Sequence, residues 1–160
     1  DQPRSRGLGD VYKRQEIKNM KKTQKRLGNK GFSLVELIVV IAIMAVLVGV
    51  LAPTLIRNVE NSRVSKDAQN IDSIKNAVEV TLQNEDAYQE AITAGDVITF
   101  GTDYKAAITA TGLTEFTKEF NNTLDLSKSK LTSKKYKDKQ GDIKFHVSST
   151  GNVSVVGLPD

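Results

Sequence analysis

The chain has 160 residues, no cysteine, no tryptophan and a single histidine, and these absences exclude several kinds of site. Without cysteine there is no disulfide framework, no thiolate metal site and no cysteine nucleophile. His146 has no second histidine or cysteine to complete a metal or nucleophilic site. With four tyrosines and five phenylalanines, the core is expected to be mostly aliphatic. We find no acid–base pair, phosphate-binding loop or triad pattern, and we therefore expect no catalytic residue, metal or cofactor, and no enzyme activity.

Positive charge is concentrated at the N-terminus. Residues 1–31 contain ten Lys and Arg against three acids, whereas residues 32–160 contain 13 against 16. The formal charge of +4 thus belongs to one short segment, and global charge does not favour nucleic-acid binding. A local lysine-rich strip at residues 128–144 keeps DNA or an anionic surface open as a partner, beside the simpler interpretation of a solvated face.

We divide the chain into three parts. Residues 1–31 are a basic leader, of which 1–19 precede Met20 and are expected to be non-native, while residues 20–31 are the leader proper. Residues 32–53 form an apolar helix, and residues 54–160 form an amphipathic helix and a globular α+β head.

Residues 32–52 read FSLVELIVVIAIMAVLVGVLA, with one acid, one serine, one glycine and no base. A helix of this length spans roughly 31 Å, close to the roughly 30 Å hydrocarbon core of a bilayer. We predict one membrane span, with the basic N-terminus in the cytoplasm and the chain after Pro53 outside. A cleaved secretory signal is the alternative, but the run exceeds the usual length of about 7–15 apolar residues, lacks an Ala-x-Ala ending and is followed by proline.

Apolar residues continue at helical spacing beyond Pro53, which predicts a helix kinked near this proline and running to about Leu82. The predicted inward stripe is Val64, Ala68, Ile71, Ile74 or Lys75, Val78 and Leu82. Asp67 is among the charged residues placed off this stripe.

The fold class predicted for the whole is α+β, with the long helix packed on a small C-terminal antiparallel sheet. The intervening segments are predicted as a further helical turn or two at 88–92, a short strand or connector at 97–100, a helix capped by Asp103 at 103–112, a helix at 114–121 and a solvated loop or edge strand at 124–140. Alternation at residues 143–147 and 153–155 around a turn predicts a hairpin, with His146 on its exposed face.

Glu36 is a carboxylate within the apolar run and needs a cationic partner. An acid at the centre of a membrane helix costs about 2.5–3.5 kcal/mol, and less near its end. Cleavage between Gly31 and Phe32 would create an α-amino group at a similar depth. Between neighbouring helices offset along their axes, the amine and the carboxylate can meet, and such a pair supplies register more reliably than stability.

The stretch KGFSLVELIVVIAIMAVLVGVLAP, residues 30–53, closely resembles the N-terminal cleavage and methylation motif of the type IV pilin and pseudopilin family. The resemblance implies that a prepilin peptidase removes the leader after Gly31 and methylates the new N-terminus at Phe32. It also implies that Glu36 pairs with the N-terminal amine of a neighbouring subunit during assembly and that the helix bends at Pro53. The lack of cysteine favours a Gram-positive-like pilin or a pseudopilin, because many Gram-negative pilins have a C-terminal disulfide.

The expected function is that of a structural subunit, held in the cytoplasmic membrane as a single-pass precursor and polymerised into an extracellular filament for adhesion, motility or DNA uptake. Its expected partners are copies of itself, the prepilin peptidase, and the pilus assembly ATPase and platform machinery. Two alternatives stay open. One is a pseudopilin of a type II secretion or competence system, and the other is a single-pass anchored binding domain that does not polymerise.

Overall fold

The computed structural model describes residues 31–160 and, before them, Arg14 alone, so most of the predicted leader lies outside the described residues. The elements in chain order are α1 Leu34–Thr81, α2 Glu85–Ala94, β1 Asp96–Phe100, β2 Ala106–Ile108, α3 Thr114–Thr123, a 3₁₀ turn Leu126–Lys128, α4 Lys134–Lys137, β3 Lys144–Val147 and β4 Val153–Val156. This arrangement confirms the α+β class. The chain divides into two compact units, Asp1–Ala52 and Pro53–Asp160.

The described residues of the first unit form the apolar part of α1. The large side chains of this part are about half exposed or more, from Val39 at 49% to Leu34 at 74%. The most apolar 18-residue window has a mean hydropathy of 3.1, and none of it is buried. The helix is long and apolar enough to cross a membrane. A helix that is apolar all round is stable only when lipid or other protein covers it.

In the second unit, α1 becomes amphipathic and packs on the head. Ile71, Ile74 and Val78 lie on the predicted stripe and are buried. The helix ends at Thr81, one residue before the predicted end. The outward placement of Asp67 is wrong, because this residue is fully buried. Asp67 lies four residues before Ile71 and therefore faces the same side of the helix. The hydrogen-bond donors on that side are supplied by Thr132 and Ser133.

Four antiparallel strands form one sheet in the order β2-β1-β3-β4. The predicted C-terminal hairpin is confirmed, with Phe145 opposite Val155. The register between β1 and β3 shifts between Asp96 and Ile98, which is how a bulge accommodates one extra residue. Both Val97 and Ile98 are buried, so β1 shows no simple alternation in its sequence.

The helix predicted at residues 103–112 is wrong. Residues 101–105 form the turn of a β1–β2 hairpin, in which Phe100 pairs with Ala106. The Asp103 carboxylate accepts the Lys105 N–H at 3.2 Å, a local bond that favours a turn over a helix. Tyr104 adopts a φ of 63°, a left-handed conformation that a helix cannot contain. Pairing with β1 then outweighs the modest helix propensity of the alanines.

The remaining helices frame the core of the head. α2 is a separate helix capped by Asn84, whose side chain accepts the Asp86 and Ala87 N–H groups. α3 confirms the predicted helix at 114–121, and its Phe116 and Phe120 rings stack with centroids 5.8 Å apart. The solvated loop or edge strand predicted at 124–140 is only partly correct, because this segment contains the 3₁₀ turn and α4. Its lysines are mostly exposed, but its middle enters the core through Leu131 and Ser133.

Candidate functional site

The N-terminus of α1 is closed by a reciprocal pair of hydrogen bonds between Ser33 and Glu36. The Glu36 N–H donates to Ser33 Oγ at 3.2 Å, and the Ser33 N–H donates to Glu36 Oε2 at 3.1 Å. This is a capping box, in which two side chains satisfy backbone donors that the first helical turn leaves free. The Ser-x-x-Glu spacing is the sequence signal from which this arrangement can be predicted.

The capping box gives the Glu36 carboxylate a local reason to be in an apolar helix. It lies in the first turn of α1, where the helix dipole favours negative charge. Its Oε2 already accepts the N–H of Ser33, the residue directly after Phe32. A new α-amino group at Phe32 would therefore be adjacent along the chain to a group that this carboxylate binds.

The other predicted site residues lie at the two ends of the apolar segment. Gly31 and Phe32 precede the first turn of α1 and have no regular structure. Phe32 is 87% exposed. Pro53 is within α1, which continues through it. The roles assigned to these residues, including the kink at Pro53, stay predictions.

Asp67 is the buried polar centre of the head, although the helical pattern predicted it off the buried stripe. Its two carboxylate oxygens accept the backbone N–H groups of Thr132 and Ser133 at 2.8–3.1 Å. The hydroxyl of Thr132 donates at 3.1 Å and that of Ser133 at 2.6 Å. The carboxylate is thus fully hydrogen-bonded, as a buried charge must be to be tolerated.

Two further acids bind backbone groups at the start of other helices. Glu60 Oε1 accepts the N–H of Lys134 at 2.7 Å, at the first residue of α4. Glu90 Oε2 accepts the N–H of Phe116 at 2.9 Å, near the start of α3. The residue that precedes α3, Leu113, offers no side-chain cap of its own. At α3 a distant carboxylate therefore does the capping that no local side chain does, whereas at α4 Glu60 adds to the local cap that Ser133 provides.

A small charged cluster lies on the exposed face of the sheet. His146 Nδ1 is 2.8 Å from Asp96 Oδ1, and Lys144 Nζ is 3.5 Å from Asp96 Oδ2. The hydrogen bond to His146 and the charge of Lys144 lower the pKa of Asp96 below its ordinary value of 3.8. Strand β3 alternates between half-buried and buried residues, and His146 is in a half-buried position. The prediction that His146 lies on the outer face of the strand is therefore confirmed.

The structure does not assemble a reaction centre from these groups. Within residues 31–160, no three His, Asp or Glu side chains converge as a set that could hold a metal ion. The lysine strip remains a surface feature, in which Lys128, Lys130, Lys134 and Lys135 are exposed.

An apolar helix, an amphipathic continuation and a small antiparallel sheet together define a pilin-like α+β arrangement. Residues 26–52 match the family model described as the prokaryotic N-terminal methylation motif. This motif is the signature of type IV pilins and prepilins, and it confirms the resemblance seen in the sequence. The match spans Gly31, Phe32 and Glu36 and ends before Pro53. No curated protein and no solved structure matches the chain.

Proposed function

We propose that this chain is a prepilin, a structural subunit that is cleaved after Gly31, methylated at Phe32 and polymerised into a filament. The observation that carries the proposal is the position of the methylation motif. It covers the start of α1, whose large apolar side chains from Leu34 to Leu51 are all exposed. A processing signal joined to an apolar helix is what a subunit needs if it is stored in a membrane and later assembled.

The proposed mechanism is the transfer of α1 between two apolar environments. Burying a large aliphatic side chain contributes about 1.5–3 kcal/mol, so the segment 32–52 cannot leave lipid for water. A filament core built from the same segment of other subunits supplies replacement contacts. An assembly ATPase and a membrane platform are the expected partners, because extraction from lipid needs work even when the end state is favourable.

Glu36 is proposed to set the register of a subunit as it joins the filament. Its carboxylate is held in the first turn by Ser33, which fixes where the negative charge lies along the helix. The N-terminal amine of a neighbouring Phe32 is a cation that can approach this charge from another helix. A misplaced neighbour would leave both charges unpaired in an apolar core, which is strongly unfavourable.

The test is the mass of the mature N-terminus in cells that contain an active prepilin peptidase. We expect N-methyl-phenylalanine at Phe32 as the first residue. The leader supplies a matched pair of variants, since Gly28 and Gly31 lie three residues apart. Gly31→Val should block cleavage because a branched side chain does not fit where glycine is needed, whereas Gly28→Val should be processed. An intact leader in the unaltered chain would refute the proposal.

The same N-terminal motif also fits a pseudopilin, whose subunits form a short fibre in a secretion or competence system. The absence of cysteine is compatible with both. Electron microscopy of sheared surface material distinguishes them. Long filaments containing this chain would support a pilus subunit for adhesion, motility or DNA uptake, and their absence despite correct processing would support the pseudopilin.

A further inference from the structure

An uncovered apolar and basic surface lies at the start of the second unit. Leu55, Ile56 and Val59 are 63%, 70% and 41% exposed. Together with Glu60, Arg63 and Lys134 they line one open depression. We call these six residues the basal patch. Leu55, Val59 and Arg63 follow one another at four-residue spacing and therefore share one face of α1.

The basal patch contains two bases, Arg63 and Lys134, and one acid, Glu60, so its side chains carry a net positive charge. Arg57 and Lys135 lie next to its members in sequence, Lys66 lies three residues after Arg63, and all three are exposed. The Glu60 carboxylate accepts the backbone N–H of Lys134, the buried Asp67 carboxylate accepts from four donors of Thr132 and Ser133, and in the described part of the chain neither acid forms an ion pair with these bases. Among residues 31–160, no ion pair involves Arg63, Lys134 or Lys135.

We propose that the basal patch binds the phosphate headgroups of an anionic membrane surface while the subunit is in the membrane. Apolar side chains beside unpaired Lys and Arg are typical of segments that lie at a lipid interface. The proposal rests on the membrane-anchored precursor of the proposed function, but it does not depend on cleavage or polymerisation.

The sequence places the basal patch at a suitable distance from the apolar run. Leu55 follows Ala52 by three residues and Arg63 follows it by eleven, which corresponds to helical rises of roughly 5 Å and 17 Å. The headgroup layer adds about 5–7 Å on each side of the hydrocarbon core. The attraction of Lys and Arg to the surface extends for a further Debye length of about 8–10 Å. Arg63 is therefore within reach of lipid phosphates, and Lys134 lines the same depression.

Charge and polarity favour this occupant over two others. A second copy of the chain would present the same positive patch, so a symmetric contact would be repulsive. Nucleic acid would satisfy the bases but would leave Leu55, Ile56 and Val59 in water. Lipid headgroups over an acyl boundary satisfy both kinds of side chain.

The experiment uses the full chain reconstituted in bilayers of phosphatidylcholine alone or with phosphatidylglycerol. Acetylation rates of individual lysines are measured by mass spectrometry. We expect Lys134 and Lys135 to react about threefold or more slowly in the anionic bilayers, and salt at about 0.5 M should remove the difference. Lys118 on α3 is the internal control and should react equally in both bilayers.

A matched variant tests the apolar part of the basal patch. Ile56 is exposed, so Ile56→Ser should not disturb the fold, yet it should weaken the protection of Lys134. Equal rates in the two bilayers would overturn the proposal. Protection that depends on protein density but not on lipid charge would indicate a second copy and would also overturn the proposal. Protection by added DNA, where phosphatidylglycerol gives none, would overturn it as well. The mass of the mature N-terminus reports on the proposed function separately.

Discussion

The carboxylate of Asp67 and the hydroxyl of Ser133 are joined by a 2.6 Å hydrogen bond between residues 66 positions apart. The same carboxylate oxygen accepts the N–H of Ser133, and Ser133 Oγ in turn accepts the N–H of Tyr136 at 3.3 Å. One buried acid on α1 therefore fixes both the path of residues 132–133 and the start of α4. The lysine strip is attached to the long helix through this bond network.

We predict that Asp67→Asn destabilises the head by about 2–4 kcal/mol, because an amide cannot accept from every donor and presents its own N–H groups to them. Hydrogen–deuterium exchange of the sheet amides, in detergent-solubilised chain, measures the change. Asp72→Asn on the exposed side of the same helix is the matched control and should change stability by less than about 0.5 kcal/mol. Equal exchange rates in the two variants would show that the Asp67 hydrogen bonds contribute little to the stability of the head.

The burial of Asp67 shows where prediction from sequence reached its limit. Hydrophobic periodicity correctly predicted that Ile71, Ile74 and Val78 are buried. Burying an apolar side chain is favourable whichever segment of the chain covers it. A charged residue is counted as outward-facing by the same rule. Its inward position depends on donors supplied by Thr132 and Ser133, and no local pattern indicates which distant segment will supply them.

The β1–β2 hairpin shows a second limit. Both helix and strand suit residues 106–108, and the outcome depends on the free edge of β1 and on the turn at Asp103. By contrast, the β3–β4 hairpin and α3 were predictable because each has a local turn or periodic signal. The motif around Glu36 was predictable for a further reason, since its residues are consecutive and do not depend on the head.

Glu90 supplies the second stability prediction. Its carboxylate caps the Phe116 N–H at the start of α3, where Leu113 provides no side-chain cap. We expect Glu90→Ala to cost about 0.5–2 kcal/mol and to speed exchange of the first α3 amides. Glu90→Gln keeps an acceptor and should recover part of the loss. Glu79→Ala, at an exposed position of α1, is the control, and an equal loss there would exclude a capping role.

The lowered pKa of Asp96 predicts that the folded head loses stability at acid pH. Because its pKa is lowered in the folded head by the His146 hydrogen bond and the Lys144 charge, the unfolded state binds more protons at low pH. The stabilisation is present above the ordinary pKa of 3.8 and is lost as pH falls through the folded pKa. Unfolding measured at about pH 6 and about pH 3 should show a smaller difference in Asp96→Asn than in the unaltered chain. An unchanged difference would mean that other carboxyl groups dominate acid unfolding.

Variants of Ser33 and Glu36 distinguish two roles of the Glu36 carboxylate, namely its part in the cap of α1 and its negative charge. Glu36→Gln retains an oxygen that can accept the Ser33 N–H but removes the negative charge, whereas Ser33→Ala removes the hydroxyl that accepts the Glu36 N–H. Loss of an N-cap costs about 0.5–2 kcal/mol at a helix end. We expect both variants to be cleaved after Gly31, since neither changes the residues at the scissile bond.

Filament yield after shearing then discriminates between the two roles. If the charge of Glu36 pairs with a neighbouring amine, Glu36→Gln should lower the yield by an order of magnitude, because a pairing energy of about 1.4 kcal/mol corresponds to a tenfold change in an equilibrium constant. Ser33→Ala should then assemble nearly normally. The reverse result, with Ser33→Ala impaired and Glu36→Gln unaffected, would show that Glu36 acts in assembly only through the helix cap.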